Sequence, residues 1–155
     1  MVLECNGVVH RVEVVGTGKI SVGERLAGDQ PTALVRTESE QLTGYEPDLG
    51  TVTVSDRGPA FGEFVAPKAS QEFPAAESLA QNLTVTTQRN PCGGGLPATF
   101  AARGPFQVQN SALTAFPPQN AVYLLPNPVE LIDTANPSGP SITLTEFPLT
   151  VSQSS

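Results

Sequence analysis

Three side chains carry most of the reactive chemistry open to this chain: His10, Cys5 and Cys92. His10 is the only histidine, so any His-dependent triad or general base must use it. It falls in register with Val8, Val12 and Val14, on a face that reads as core, while Arg11 and Glu13 take the other face. A buried histidine with a satisfied ring nitrogen explains that position more simply than a catalytic base does. Catalysis would need a nucleophile beside it, such as Cys92 or a serine. No Gly-x-Ser-x-Gly elbow exists to present one.

Asn90-Pro91-Cys92-Gly93-Gly94-Gly95 is the most reactive-looking segment. Its backbone N–H groups could form an anion nest or an oxyanion hole. A flexible or disulfide-tied loop is the plainer reading. In an oxidising compartment Cys5 and Cys92 could pair and close a loop of most of the domain. With no leader in front of them, free thiols are the expectation. Two cysteines and one histidine cannot build a structural zinc site. Gly16-Thr17-Gly18-Lys19 is no phosphate loop, because Ile20 follows the lysine and no helix follows to present its N-terminus.

Among the carboxylates, Glu38 and Glu40 stand two apart and on one face, with Glu46, Asp48 and Asp56 near turns. Calcium loops need a denser set of oxygens than this, so a solvated acidic edge that deters aggregation is the expectation. Whether two carboxylates sit at glycosidase separation cannot be read from spacing. The Asn82-Leu83-Thr84 sequon matters only on a secretory route, and Ala115-Phe116-Pro117-Pro118-Gln119-Asn120 is too brief for a polyproline ligand. No catalytic, metal or cofactor-binding residue is therefore assigned, no cofactor is expected, and the balance leans away from an enzyme.

Charge narrows the partners. Eight Lys+Arg face 15 Asp+Glu, a net charge of -7, and the lysines are Lys19 and Lys68 alone. Nucleic-acid binding needs a clustered basic surface, which cannot be assembled here, and an anionic membrane surface would repel the chain. Met1-Val2-Leu3-Glu4-Cys5 lacks the basic start and apolar core of a signal peptide, and no apolar run is long enough to span a bilayer. As written, the chain reads as cytoplasmic.

The elements that must position these residues are strands. Gly50-Thr51-Val52-Thr53-Val54-Ser55 alternates apolar and polar side chains, and Pro140-Ser141-Ile142-Thr143-Leu144-Thr145 repeats the style. Such alternation buries Val52 and Val54 and leaves Thr51 and Thr53 towards water. The 15 Pro and 14 Gly fall between apolar runs, where they read as turn punctuation. Glycines around Thr17 predict a short hairpin between Val8–Val15 and Lys19–Val22. Ala76, Leu79, Ala80 and Leu83 keep the spacing of a helix face, so a helix of at most two turns is expected between Phe73 and Leu83. Ala121–Leu125 is apolar on both parities and reads as a central strand covered on both faces. Apolar positions then slip phase from Ile142 and Leu144 to Phe147, Leu149 and Val151, with Pro148 between, which demands a bulge or a bend between sheets.

Roughly nine or ten short strands and at most one short helix predict an all-β fold, an antiparallel β-sandwich, with a small closed β-barrel as the alternative. Residues 1–151 read as a single all-β domain and 152–155 as a disordered tail. Two functions fit. The first is a non-catalytic binding or assembly module acting through a protein partner, with Thr51–Ser55 and Ser141–Thr145 as edges for strand addition. The second is a barrel holding an apolar small molecule, as carrier or cofactor-free enzyme, lined by Phe61, Phe64, Phe100, Phe106 and Tyr123. A hydrolase built on His10 with Cys92 or a serine ranks last.

Overall fold

The computed structural model describes residues 1–26, 28, 30–114 and 120–151, with residue 25 described by its backbone. The expected tail at 152–155 and the proline stretch at 115–119 lie outside these residues. Fourteen strands occupy the described residues. They are β1 (Val2–Cys5), β2 (Val8–Arg11), β3 (Val14–Leu26), β4 (Thr32–Glu46) and β5 (Gly50–Asp56). Next come β6 (Ala60–Val65), β7 (Ala75–Gln81), β8 (Leu83–Thr87), β9 (Ala98–Ala102) and β10 (Phe106–Leu113). The chain closes with β11 (Ala121–Tyr123), β12 (Val129–Asp133), β13 (Ile142–Glu146) and β14 (Leu149–Val151).

Every pairing is antiparallel. Ladders run in the order β10-β7-β6-β4-β5-β8-β9-β12-β13-β1-β2, with β3 on β4, and β11 pairs β14 separately. The ladder does not close on itself, so the molecule is a β-sandwich-like fold and not the closed barrel held as the alternative.

Strand β4 organises this arrangement. On one side it pairs with β3 along most of its length. On the other, Thr32–Thr37 pairs with β6 and Gln41–Glu46 pairs with β5. Its buried residues change parity midway: Ala33, Val35 and Thr37 point inward before Glu38, Glu40 and Leu42 after it. The partner strand shows why, since Ile20 pairs with Thr37 and Lys19 with Ser39, leaving Glu38 as a bulge.

Several sequence expectations change here. The hairpin at Gly16-Thr17-Gly18 is absent, because β3 runs straight through. Gly16 packs so closely on the Gln41 carbonyl that no Cβ would fit, so this glycine serves close approach and not a turn. The expected helix between Phe73 and Leu83 is strand β7, which inserts between β6 and β10. Its Glu77, Leu79 and Gln81 alternate inward, and the alanines that mimicked a helix face are simply small strand residues. Ala121–Leu125 is not a central strand: Ala121–Tyr123 pairs with β14, Leu124 makes an isolated bridge to Gln109, and Val122 and Leu124 are exposed. Thr51–Ser55 and Ser141–Thr145 offer no free edge, since β5 lies between β4 and β8, and β13 between β12 and β1. The phase slip at Phe147 does mark a change of sheet, from β13 in the large one to β14 in the small one.

Leu3, Val52, Val54, Phe100, Leu131, Ile142, Leu144 and Phe147 belong to one buried apolar cluster. Cys5 and Cys92 are joined in a disulfide 87 residues apart in sequence, in place of the free thiols expected. It ties β1 to the glycine loop that follows Pro91. No helix is long and apolar enough to cross a membrane among the described residues.

Candidate functional site

The open place in the ladder is where the interior becomes accessible. From β4 the sheet continues through β6, β7 and β10, whose Gln109 exchanges backbone hydrogen bonds of 2.8 and 2.9 Å with Leu124 beside β11. β11 pairs β14, but no ladder joins β14 back to β3 among the described residues. A groove of about 710 Å³ runs along this gap. Val12, Val14, Leu42, Phe147 and Leu149 give it apolar walls, and Arg11, Glu13 and Glu146 rim it.

Adjoining it, and sharing Gly16, Leu42, Leu149 and Thr150 with the groove, lies a chamber of about 200 Å³. Ile20, Leu42, Leu79 and Val151 line it, with Thr17, Ser39 and Thr150 and with three buried polar residues, Thr37, Glu40 and Gln81. Those three are only 6%, 7% and 1% exposed. The Thr37 hydroxyl, Glu40 Oε2 and Gln81 Oε1 have no hydrogen-bond partner. Buried polar atoms are normally satisfied, so three in one small chamber mark it out from the rest of the core. The one side-chain nitrogen of this set is occupied, Gln81 Nε2 donating to the Ala80 carbonyl at 3.2 Å.

Electrostatics single out Glu40. Burial pushes its carboxyl up to about 7, and the nearby Asp56 carboxylate adds to the rise. Asp56 is held by the Glu40 N–H, which donates to its Oδ1 at 3.3 Å. No Lys or Arg lines the chamber among the described residues.

A second buried carboxylate, Glu77, sits further along β7. Burial raises its pKa, and the Tyr123 hydroxyl, which donates to Glu77 Oε1 at 2.5 Å, pulls it back. The Tyr123 hydroxyl is itself raised by burial and by Glu77.

The residues singled out from sequence are scattered. His10 is buried, and its Nδ1 lies 3.4 Å from Glu46 Oε2. His10, Glu46 and Asp48 bring ligand atoms within 4.8 Å of one another, but Glu46 Oε2 also accepts the Leu49 N–H at 2.9 Å and so caps the β4–β5 turn. Cys92 is committed to its disulfide, which removes the thiol a His10–Cys92 hydrolase would use. Glu40, expected at a solvated edge with Glu38, is turned inward by the Glu38 bulge. Phe64, Phe100 and Tyr123 are core, Phe61 is half exposed, and none of the five aromatics lines the groove or the chamber. Thr37 and Gln81 were missed as site residues. The signal for Thr37 and Glu40 is the parity change across Glu38, and for Gln81 it is the two-residue period of Glu77, Leu79 and Gln81.

The class is thus an antiparallel β fold whose open ladder exposes an apolar groove with a more polar chamber adjoining it. No family model matches the sequence, and no curated protein matches it. Among solved structures the fold is similar to that of DynF, a protein from the dynemicin biosynthesis pathway of Micromonospora chersina, with a TM-score of 0.74. That match covers 95% of this chain and 72% of DynF at 17% identity, a likeness of fold alone.

Proposed function

We propose that this chain is a non-catalytic binding module that holds a small, mainly apolar molecule in the groove between β3 and β14. The observation that carries the reading is the groove itself, about 710 Å³ with walls of Val12, Val14, Leu42, Phe147 and Leu149, adjoining a second chamber. Ligand sites are commonly apolar concavities of this size with a few convergent polar groups. DynF, a protein of a biosynthesis pathway, shares the fold, which is in keeping with a small-molecule ligand. His10 is not among the residues lining either cavity, and Cys92 is tied up in its disulfide, so a His10–Cys92 pair does not face the groove.

Titration with N-phenyl-1-naphthylamine, a neutral apolar fluorophore, tests this. Saturable fluorescence enhancement is expected for the native chain, and loss of it when Leu149→Trp or Val14→Trp fills the groove. Non-saturable enhancement, or undiminished binding in both folded variants, overturns it.

The second reading, a protein partner joined by strand addition, draws on β3. This strand pairs with β4 on one side and with no strand on the other among the described residues. An added strand would protect alternate amides of Val14–Val22 from hydrogen exchange, whereas a small molecule in the groove would leave that alternation absent.

A further inference from the structure

Each of the three buried, unpartnered polar atoms in the chamber is able to accept a hydrogen bond. Glu40 Oε2 and Gln81 Oε1 can only accept, and the Thr37 hydroxyl can accept while turning its own proton elsewhere. The group that suits these three buried acceptors is one with several donors and no acceptor. An alkylammonium has three N–H donors, while a hydroxyl has one. Charge points the same way. No Lys or Arg lines the chamber among the described residues, so an anionic head would meet the Glu40 carboxylate, with Asp56 hydrogen-bonded to the Glu40 backbone behind it, and no counter-ion. Lys19, next to the chamber-lining Gly18 and Ile20, is directed to Glu38, with Nζ 3.4 Å from Oε2.

We propose that the chamber seats the head of a small organic amine, with Glu40 as its counter-ion, Thr37 and Gln81 as acceptors, and the apolar remainder of the molecule lying in the groove. This rests on the groove being a ligand site, and adds the chemical class of the ligand. An ion pair out of water is favourable only where further hydrogen bonds complete it, and Thr37 and Gln81 supply them.

Three probes with one tail separate the possibilities: octylamine, octanol and octanoate, titrated calorimetrically into the whole chain at pH 8. Octylamine is expected to bind about tenfold or more tightly than octanol, with octanoate weakest. Glu40→Gln should bring the octylamine-to-octanol ratio close to one. Glu130→Gln, which removes an equal charge beside Arg103 on the outer surface, should keep the ratio. Octanol or octanoate binding as tightly as octylamine overturns the amine assignment while leaving the groove reading intact, as does a preserved ratio in Glu40→Gln. Binding of none of the three overturns the groove reading itself, and the amine assignment with it.

Discussion

The Tyr123 hydroxyl donates to Glu77 Oε1 at 2.5 Å, with both side chains buried, and so fastens the small β11–β14 ribbon to strand β7 of the large sheet. Pairing in the ribbon itself covers Ala121–Tyr123 and Leu149–Val151, so this bond, with the Gln109–Leu124 backbone bridge, ties one wall of the groove to the large sheet. Tyr123→Phe is expected to cost about 1–3 kcal/mol by leaving a buried acceptor unpaired. The loss has a pH signature. Burial raises the folded pKa of Glu77 and the Tyr123 bond lowers it, so removing the bond penalises the ionised form most. Urea denaturation should show a larger loss at pH 8 than at pH 4, and equal losses would argue against an ionised Glu77 at neutral pH.

Glu40 makes a sharper case. Its folded value is raised from 4.5 to about 7, so the folded state holds a proton that the unfolded state has already released over that range. Its contribution is therefore fully present below about pH 4.5 and declines as the pH rises through 7. Glu40→Gln, which cannot ionise, should be more stable than the native chain at pH 8 by on the order of 3 kcal/mol. At pH 4 the two should melt within a few degrees of each other. A variant that is less stable at both values would show that Glu40 has a compensating partner.

The disulfide spans 87 residues, and closing so long a loop removes much of the freedom of the unfolded chain. Chain-entropy reasoning assigns this on the order of 4–5 kcal/mol. The double variant Cys5→Ala/Cys92→Ala should unfold at markedly lower urea concentration, and reducing agent should shift the native chain but not the variant.

Gly62 lies in the middle of β6 with its Cα pressed against β7, where an added Cβ would collide with the Ser78 carbonyl oxygen. Gly62→Ala should cost about 1–3 kcal/mol by forcing the two strands apart. Gly104, which has open space around it, provides the control: Gly104→Ala should be close to neutral. Thermal melts of the two variants side by side would settle the contrast.

What could be read in the sequence was whatever depends on near neighbours. Val52 and Val54 are fully buried, as their alternation with threonines requires, and the phase slip at Phe147 coincides with a change of sheet. Period-two patterning is written within a single strand, so it survives without knowledge of partners. The site was less legible because it depends on register between strands. Glu40 faces inward because β3 pairs so as to bulge out Glu38, which the sequence marks only by apolar positions passing from odd at Ala33 and Val35 to even at Leu42. Gln81 was hidden differently: Ala76, Leu79, Ala80 and Leu83 keep the spacing of a helix face, and it is pairing with β6 and β10 that makes Ala75–Gln81 a strand. The Cys5–Cys92 bond follows from the fold bringing β1 beside a distant loop, which spacing alone cannot reveal.

Strand β4 gives hydrogen bonds to β6 with its first half and to β5 with its second, while β3 backs both. Such sharing makes the strand a cooperative hinge pin. Neither ladder can peel away without straining the other, because both share β4 and its one backing strand, β3. The amides of Val35 and Leu42, on opposite sides of the Glu38 bulge, would then exchange with solvent in step, through opening of the whole molecule and not of either half.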